Sequence, residues 1–353
     1  MVNKEFIQSK CVVALLLFCH ITCVCMAQFY SKGVDPMSVD WYQYDPGHYR
    51  WVADKQVMPH IGLYRIFMDS LVCRGGLSLG EMPNDIDILF HSRTSYSNGF
   101  VSWAPKRMGL YLSPFASDVS IPWLQHLLVH EYRHVVQMSS LNRGFTKGLY
   151  FLFGEQAIGL ISGLYTPKWL LEGDAVATET ALTHGGRGRS ASFVQEMRAL
   201  TLSDNFPKYD AAYNGSYAER YPNYYHMGYY TVAYLRQKYG ADVLASVFDK
   251  CGRKSWSITP FNRALRNISG KRKAALYSEA LSWWKTLWRS EMDSIEPTPY
   301  TSWQIKRKAY ADYHLPKFTQ QGIVAYKESP ETLPRFVFID TAGIRKTEDI
   351  VEK

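Results

Sequence analysis

Short apolar or alternating runs between residues 60 and 115 predict a small sheet. The runs are bounded by Gly, Pro and Asn residues, which is typical of strands separated by turns. We therefore expect a mainly antiparallel sheet here, preceded by an irregular segment over residues 28–58. The candidate strands are Leu63–Met68, Ile86–Phe90 and Met108–Leu112, and Ser97–Phe100 is typical of a turn leading into a further strand.

From Ser120 onward the apolar positions change to helical spacing. Ser120 is a candidate cap and Pro122 fits the first turn of a helix. The apolar stripe consists of Trp123, Leu124, Leu127, Leu128, Val135 and Val136. Further helices are predicted over residues 150–164, 167–182, 192–202, 224–239, 241–251 and 274–292, with a loop at 185–189. Strands followed by helices predict an α+β fold.

The pattern changes again after Pro297. Gly322–Lys327 and Arg335–Asp340 are predicted strands with a Pro-containing turn between them, which suits a hairpin. We therefore expect one domain over residues 28–297, with its sheet part about 60–115 and its helical part about 120–297. Residues 298–353 form a separate β segment, either an appendage or the start of a larger β domain.

The N-terminus is typical of a secretory signal. Lys4 and Lys10 precede an apolar stretch from Cys11 to Met26, and Cys25–Ala27 resembles a cleavage site. We expect residues 1–27 to be a signal peptide, and the protein to be secreted or held in the periplasm or cell envelope. An uncleaved anchor is the alternative, although the stretch is shorter than the ~20 apolar residues of a span.

Charge and cysteine content limit the classes of partner and of covalent cross-link that we expect. The net charge of +8 is distributed along the chain, without long Lys/Arg runs among stacking aromatic residues, so we expect no nucleic-acid partner. Four of the six cysteines lie in the predicted signal segment, and Cys73 and Cys251 remain. Two cysteines form no disulfide framework. They either pair in an oxidising compartment or lie apart as thiols.

The candidate chemistry begins at His130-Glu131-Tyr132-Arg133-His134. Two histidines four residues apart on a helix lie on one face, where both imidazoles can bind a single Zn²⁺ ion. Glu131 is then placed beside the metal, where it can take a proton from water and deliver it to a leaving amine. This is the H-E-x-x-H pattern of zinc peptidases.

A catalytic zinc site needs three protein ligands and one open position. Glu172 lies in Trp169-Leu170-Leu171-Glu172-Gly173-Asp174-Ala175, beside a glycine that permits close helix packing. Two histidines and one glutamate form the open arrangement used for peptide hydrolysis. Arg133, Arg187 and Arg189 could anchor a substrate carboxylate, but solvated or structural roles fit these arginines better.

These motifs resemble those of the gluzincin metallopeptidases, especially the aminopeptidase N and leukotriene-hydrolase group. H-E-x-x-H is followed by W-L-x-E-G-x-A, and Glu179 stands seven residues after Glu172. Tyr225-His226-Met227-Gly228 resembles the Tyr-x-x-Gly that opens a later helix in that group, where the tyrosine stabilises the oxyanion. Competitors for this role are Tyr224, Tyr229 and His226. Asp174 and Glu179 are candidates for the second shell around the ligands.

The resemblance implies a zincin-like domain, a small sheet with a helical bundle, acting on a peptide or protein. The wider layout is similar to bacterial envelope proteins in which a WD40-like β-propeller follows a gluzincin domain, which implies an envelope partner that binds the β segment. Aminopeptidases of the group carry a Gly-x-Met-Glu-Asn strand; the corresponding Ser97–Val101 contains no Glu, which disfavours an exopeptidase. Asn98 and Gly99 remain candidates for pairing with an extended peptide.

Two rival hypotheses keep the zinc fold without its catalysis. In the first, the chain is an inactive scaffold that binds an envelope partner. In the second, zinc is structural and a protein group such as His184 or His226 fills the fourth position.

Overall fold

The structure is a computed structural model that describes residues 35–45, 47, 49–83, 85–115, 119–216, 218–296, 298–299, 310–340 and 347–349. The predicted signal peptide, residues 1–27, lies outside the described residues. The fold is α+β, as the sequence pattern predicts. Two compact units are present. The first contains the described residues up to Thr166 with 182–184 and 244–264, and the second contains 167–181, 185–243 and the described residues from 265 onward.

A five-stranded sheet forms the first unit's β layer. Its strands are β1 (Trp41–Tyr44), β2 (Tyr49–Asp54), β3 (Ile86–His91), β4 (Gly99–Trp103) and β5 (Lys106–Tyr111), in the order β1-β2-β3-β5-β4. The central pairs β2–β3 and β3–β5 are parallel, and the outer pairs are antiparallel. The expectation of a mainly antiparallel sheet is therefore wrong. A helix connects β2 to β3, and such a crossover permits parallel pairing.

Two local predictions in this unit are also wrong. Leu63–Met68 lies inside helix α1 (Ile61–Gly75), where Ile61, Met68 and Leu71 are buried. Leu63 and Ile66 point to solvent, and these exposed apolar side chains hide the helical period in the sequence. The segment predicted to be irregular contains β1 and β2.

The first unit continues with three helices. Helix α2 (Trp123–Ser140) begins after Pro122 and packs on β4 and β5. The helix predicted over residues 150–164 is instead two helices, α3 (Gly144–Phe153) and α4 (Glu155–Tyr165). Gly154 separates them with a φ of +61°, a left-handed conformation that interrupts the helix and favours glycine.

The second unit is mainly helical. It contains α5 (Lys168–Leu182), α6 (Ala191–Leu202), α7 (Tyr209–Asn214), α8 (Tyr224–Tyr239) and α11 (Lys273–Met292). Helix α9 (Val243–Arg253) belongs almost wholly to the first unit, and α10 (Pro260–Ser269) has residues 260–264 in the first unit and 265–269 in the second. The bounds of α8 match the prediction. Asn223 caps it by accepting the Tyr225 N–H, and Gly240 ends it at a φ of +104°. Helices α7 and α10 were not predicted.

The C-terminal β segment is a four-stranded antiparallel sheet. Its strands β6 (Asp312–Phe318), β7 (Gly322–Ser329), β8 (Thr332–Asp340) and β9 (Thr347–Asp349) follow each other in chain order. The predicted hairpin is confirmed as β7–β8, while β6 and β9 were not predicted. Ile323, Ala325, Val337 and Ile339 form a small core of its own.

Two further findings concern membrane spans and cysteines among the described residues. Among the described residues, each helix is too short or too polar to cross a membrane. Cys73 is an exposed free thiol and Cys251 a buried one, so the two do not form a disulfide.

Candidate metal centre

The histidine pair lies on α2. This helix buries most of its length, including His130 and Glu131 within the H-E-x-x-H motif, and His134 is partly buried. The Nε2 atoms of His130 and His134 are 3.3 Å apart. Two nitrogens at 2.0–2.1 Å from one tetrahedral zinc ion are separated by about 3.3 Å, so the spacing fits two ligands of a single ion.

Gln137 orients the second histidine. Its Oε1 atom lies 2.9 Å from His134 Nδ1, one helical turn farther along α2. With the proton on Nδ1, the imidazole donates to Gln137 and carries its lone pair on Nε2, the atom that faces His130. A hydrogen bond of this kind from the second ring nitrogen is usual for metal-binding histidines.

Glu131 packs against the backbone of Gly99 in β4. A Cβ atom at Gly99 would lie 2.6 Å from Glu131 Oε1, so only glycine leaves room for this carboxylate. Strand β4 is an edge strand of the sheet as described. Asn98 is exposed, and its carbonyl accepts the Tyr111 N–H at 3.0 Å. The structure thus gives Gly99 a role beside Glu131 that sequence reasoning missed.

In the second unit, two glycines bring α5 against α8. A Cβ atom at Gly228 would lie 1.9 Å from the carbonyl oxygen of Trp169, and one at Gly173 would lie 2.1 Å from the carbonyl carbon of Gly228. Close helix packing at Gly173 is therefore confirmed. The two glycines belong to the W-L-x-E-G and Y-x-x-G motifs, so this contact fixes Glu172 relative to the start of α8.

Tyr225 reaches Glu172 across this helix contact. Its side chain is hydrogen-bonded to the Glu172 carboxylate. Burial and the negative charge of Glu172 raise the pKa of Tyr225, so the phenol keeps its proton at neutral pH. Among its competitors, Tyr224 stacks on the Tyr225 ring at 5.0 Å, and Tyr229 is hydrogen-bonded to Thr180.

His226 faces a different neighbour. Its ring stacks on Phe193 at 4.0 Å, and its Nδ1 lies 3.1 Å from Asn223 Oδ1. Burial, with the positive charges of Arg187 and Arg220, lowers the pKa of His226 to about 4. This imidazole is therefore neutral at physiological pH.

The two acidic residues proposed for the second shell bind arginines. Glu179 is fully buried and accepts two hydrogen bonds from the Arg187 guanidinium, at 2.8 and 3.0 Å. Asp174, also fully buried, pairs with Arg236. Burial alone would lower the pKa of Arg187, but Glu179 raises it above its usual value.

Arg187 extends this pair towards Tyr225. Its guanidinium lies over the Tyr225 ring, 5.1 Å from the centroid. A structural role for Arg187 thus agrees with the sequence-based preference.

The other two candidate arginines also have structural contacts. Arg133 is buried and donates to the Gly75 carbonyl at 2.8 Å, and Arg189 donates to the Thr180 carbonyl. The roles of Asp174 and Glu179 around a metal ligand stay predictions.

Three of the predicted residues form one group. One ligand atom each from His130, His134 and Glu172 lie within 4.8 Å of one another. Within the described ranges this group includes no fourth His, Cys, Asp or Glu, so neither His184 nor His226 belongs to it. Two imidazole nitrogens and one carboxylate oxygen suit zinc as ligands.

Comparisons with known proteins add no family. A scan against protein-family models gave no match, and a search of curated proteins found no significant relative. The resemblance to gluzincins therefore depends on the motif residues of the chain itself.

Sequence reasoning missed Gln137 and the partnership of Glu179 with Arg187. Gln137 carries a usable signal, because position i+3 from a histidine on a helix is within reach of its ring. The contact between Arg187 and Glu179 has no comparable local signal in the sequence. It lies in a separate turn eight residues from Glu179, and the packing of that turn decides the contact.

Proposed function

We propose that this protein is a zinc-dependent hydrolase of zincin-like fold that cleaves peptide bonds. His130, His134 and Glu172 would hold the metal. The observation that carries the proposal is the group of three ligand atoms, in which the 3.3 Å separation of the two Nε2 atoms fits a single zinc ion. The group contains three protein ligands, the number found in catalytic rather than structural zinc sites.

The chemistry follows from the neighbours of these ligands. A bound zinc ion would polarise the peptide carbonyl and make a water molecule more acidic. Glu131, packed on the Gly99 backbone, takes the proton of the attacking water at a carboxylate oxygen and delivers it to the leaving nitrogen. Tyr225 keeps its phenolic proton and can donate a hydrogen bond to the developing oxyanion.

Contacts within the second unit hold Tyr225 in place beside Glu172. The buried Glu179–Arg187 pair and the stacking of Arg187 on Tyr225 hold the phenol close to Glu172. An extended substrate would add to the edge strand β4 through backbone hydrogen bonds, next to Gly99 and Glu131. This supports a peptide as the substrate class.

The test compares the Glu131→Gln variant with the parent protein. We expect the variant to bind zinc with unchanged stoichiometry and to cleave a quenched-fluorescence peptide library at least about 100-fold more slowly, because the proton acceptor is lost. Glu219→Gln, at an exposed position, is the matched control and should keep full activity. Equal turnover in the Glu131→Gln variant would contradict the mechanism.

A second candidate is a zinc-binding scaffold that docks an envelope partner. The β6–β9 sheet favours this reading, since four antiparallel strands in chain order are the arrangement of one β-propeller blade. If the parent binds zinc tightly but cleaves no member of the library, the scaffold replaces the hydrolase as the better proposal.

A further inference from the structure

The α3–α4 hairpin exposes an unusual amount of apolar surface. Helix α3 buries Thr146 and leaves its aromatic and aliphatic end in solvent. Phe151 is 87% exposed and Leu152 69%, and both precede the turn at Gly154. Further exposed members of this hairpin surface are Phe145, Tyr150, Phe153, Leu160 and Leu164. Several large exposed apolar side chains on one pair of helices are typical of an interaction site.

The hairpin is attached to a second exposed apolar segment. Thr146 Oγ1 donates to the Gly252 carbonyl at 2.8 Å and lies 2.8 Å from Ser255 Oγ. Trp256 and Ile258, which follow Ser255, are 66% and 90% exposed. The buried hydrogen bonds of Thr146 thus connect the hairpin to a segment with its own aromatic and aliphatic side chains.

Two exposed lysines stand next in sequence to the residues that join the hairpin to this segment. Lys147 and Lys254, next in sequence to the bonded residues Thr146 and Ser255, are both exposed. Between residues 144 and 165 the sole acidic residue is Glu155. Its carboxylate accepts the backbone N–H of Lys106 at 2.8 Å and is thereby bound to the β4–β5 turn. An apolar surface beside lysines complements an anionic lipid surface.

Helix length limits how such a surface can meet a bilayer. Helix α3 has 10 residues and α4 has 11. At 1.5 Å per residue each is about 15 Å long, half of the ~30 Å hydrocarbon core. The hairpin can therefore enter the headgroup region and the upper acyl chains of one leaflet, where Trp and Tyr side chains are favoured.

We propose that the α3–α4 hairpin surface docks the protein on a lipid bilayer with anionic headgroups, with Phe151 and Leu152 inserted at the level of the acyl chains. Lys147 and Lys254 contact the headgroups. This inference does not depend on zinc or on hydrolysis.

The test is flotation of the full chain with lipid vesicles. Vesicles of phosphatidylcholine alone are compared with vesicles of equal parts phosphatidylcholine and phosphatidylglycerol. We expect binding to the anionic vesicles that weakens with added salt. The double variant Phe151→Ser/Leu152→Ser should bind about 10- to 100-fold more weakly, because two large apolar side chains no longer leave water.

The matched control is Leu63→Ser/Ile66→Ser. These side chains of α1 are 69% and 65% exposed, so the same chemical change is made at another exposed apolar site. The control should bind like the parent. Since all variants share the N-terminal segment, the difference between the two pairs reports on the hairpin alone.

Three outcomes would overturn the proposal. In the first, the parent floats with neither kind of vesicle, and in the second, both double variants lose binding equally. In the third outcome, analytical ultracentrifugation shows self-association that Phe151→Ser/Leu152→Ser removes, without vesicle binding. The surface would then contact a second copy of the chain. Circular dichroism of each variant confirms that it is folded.

Discussion

The close contact of α5 with α8 at Gly173 and Gly228 can be tested by adding one methyl group. The test asks whether this contact stabilises the fold and keeps Tyr225 beside Glu172. In a Gly228→Ala variant the new methyl group would lie 1.9 Å from the Trp169 carbonyl oxygen and 2.8 Å from Gly173 Cα. Both neighbours are backbone atoms, so the helices must separate. Overpacking of this kind costs about 3 kcal/mol, and the helix propensity gained from alanine returns about 1 kcal/mol.

The net loss of about 2 kcal/mol corresponds to a fall in Tm of about 4–8 °C for a unit of this size. Differential scanning calorimetry measures this fall. Because the separation also moves Tyr225 from Glu172, we expect weaker zinc binding by the same variant. The matched control is Gly163→Ala in α4, where a Cβ atom meets nothing within 4 Å. It should raise Tm slightly, since alanine favours a helix. A Gly228→Ala protein that melts at or above the parent's Tm would refute the packing argument.

Three further predictions follow from single contacts. Gln137→Leu removes the hydrogen-bond partner of His134 Nδ1, and we expect zinc affinity about 10- to 100-fold lower in chelator competition. His226 has a folded-state pKa near 4, below its unfolded value, so its contribution to stability is complete above the unfolded pKa and is lost as pH falls towards 4. His226→Gln should therefore flatten the fall in Tm between pH 7 and pH 4, and an unchanged pH profile would contradict this assignment. Cys73 should react with iodoacetamide in the native protein, whereas Cys251, buried with a pKa raised to about 12, should react after unfolding, as peptide mapping would show.

The sequence predicts best where the signals are local. The predicted bounds of helix α8, Tyr224 to Tyr239, match the structure, in which Asn223 and Gly240 cap its two ends. The strand that the sequence predicts at Leu63–Met68 is part of helix α1, and the prediction is wrong because Leu63 and Ile66 are apolar yet exposed. Burial, which distinguishes a core side from a solvent side, depends on the tertiary structure and is not encoded in the pattern of a short run.

Strand direction also required the tertiary structure. The sequence indicates β3 and β5 as apolar runs, but the pairing of Ile88 with Met108 in a parallel register depends on residues far apart in the chain. Hairpin β7–β8 was predicted correctly, since a short turn joins its strands and enforces antiparallel pairing.

In the candidate metal centre, too, some features follow from the sequence and others only from the tertiary structure. The sequence by itself determined that His130 and His134 share a helix face, because the helical period of 3.6 residues brings positions four apart together. It also identified Glu172 and Tyr225 as motif residues. Only the tertiary structure decided that Tyr225 is hydrogen-bonded to Glu172 and that Glu179 binds Arg187. These contacts depend on how closely separate segments approach, and Gly173 and Gly228 allow that approach where any larger side chain would prevent it.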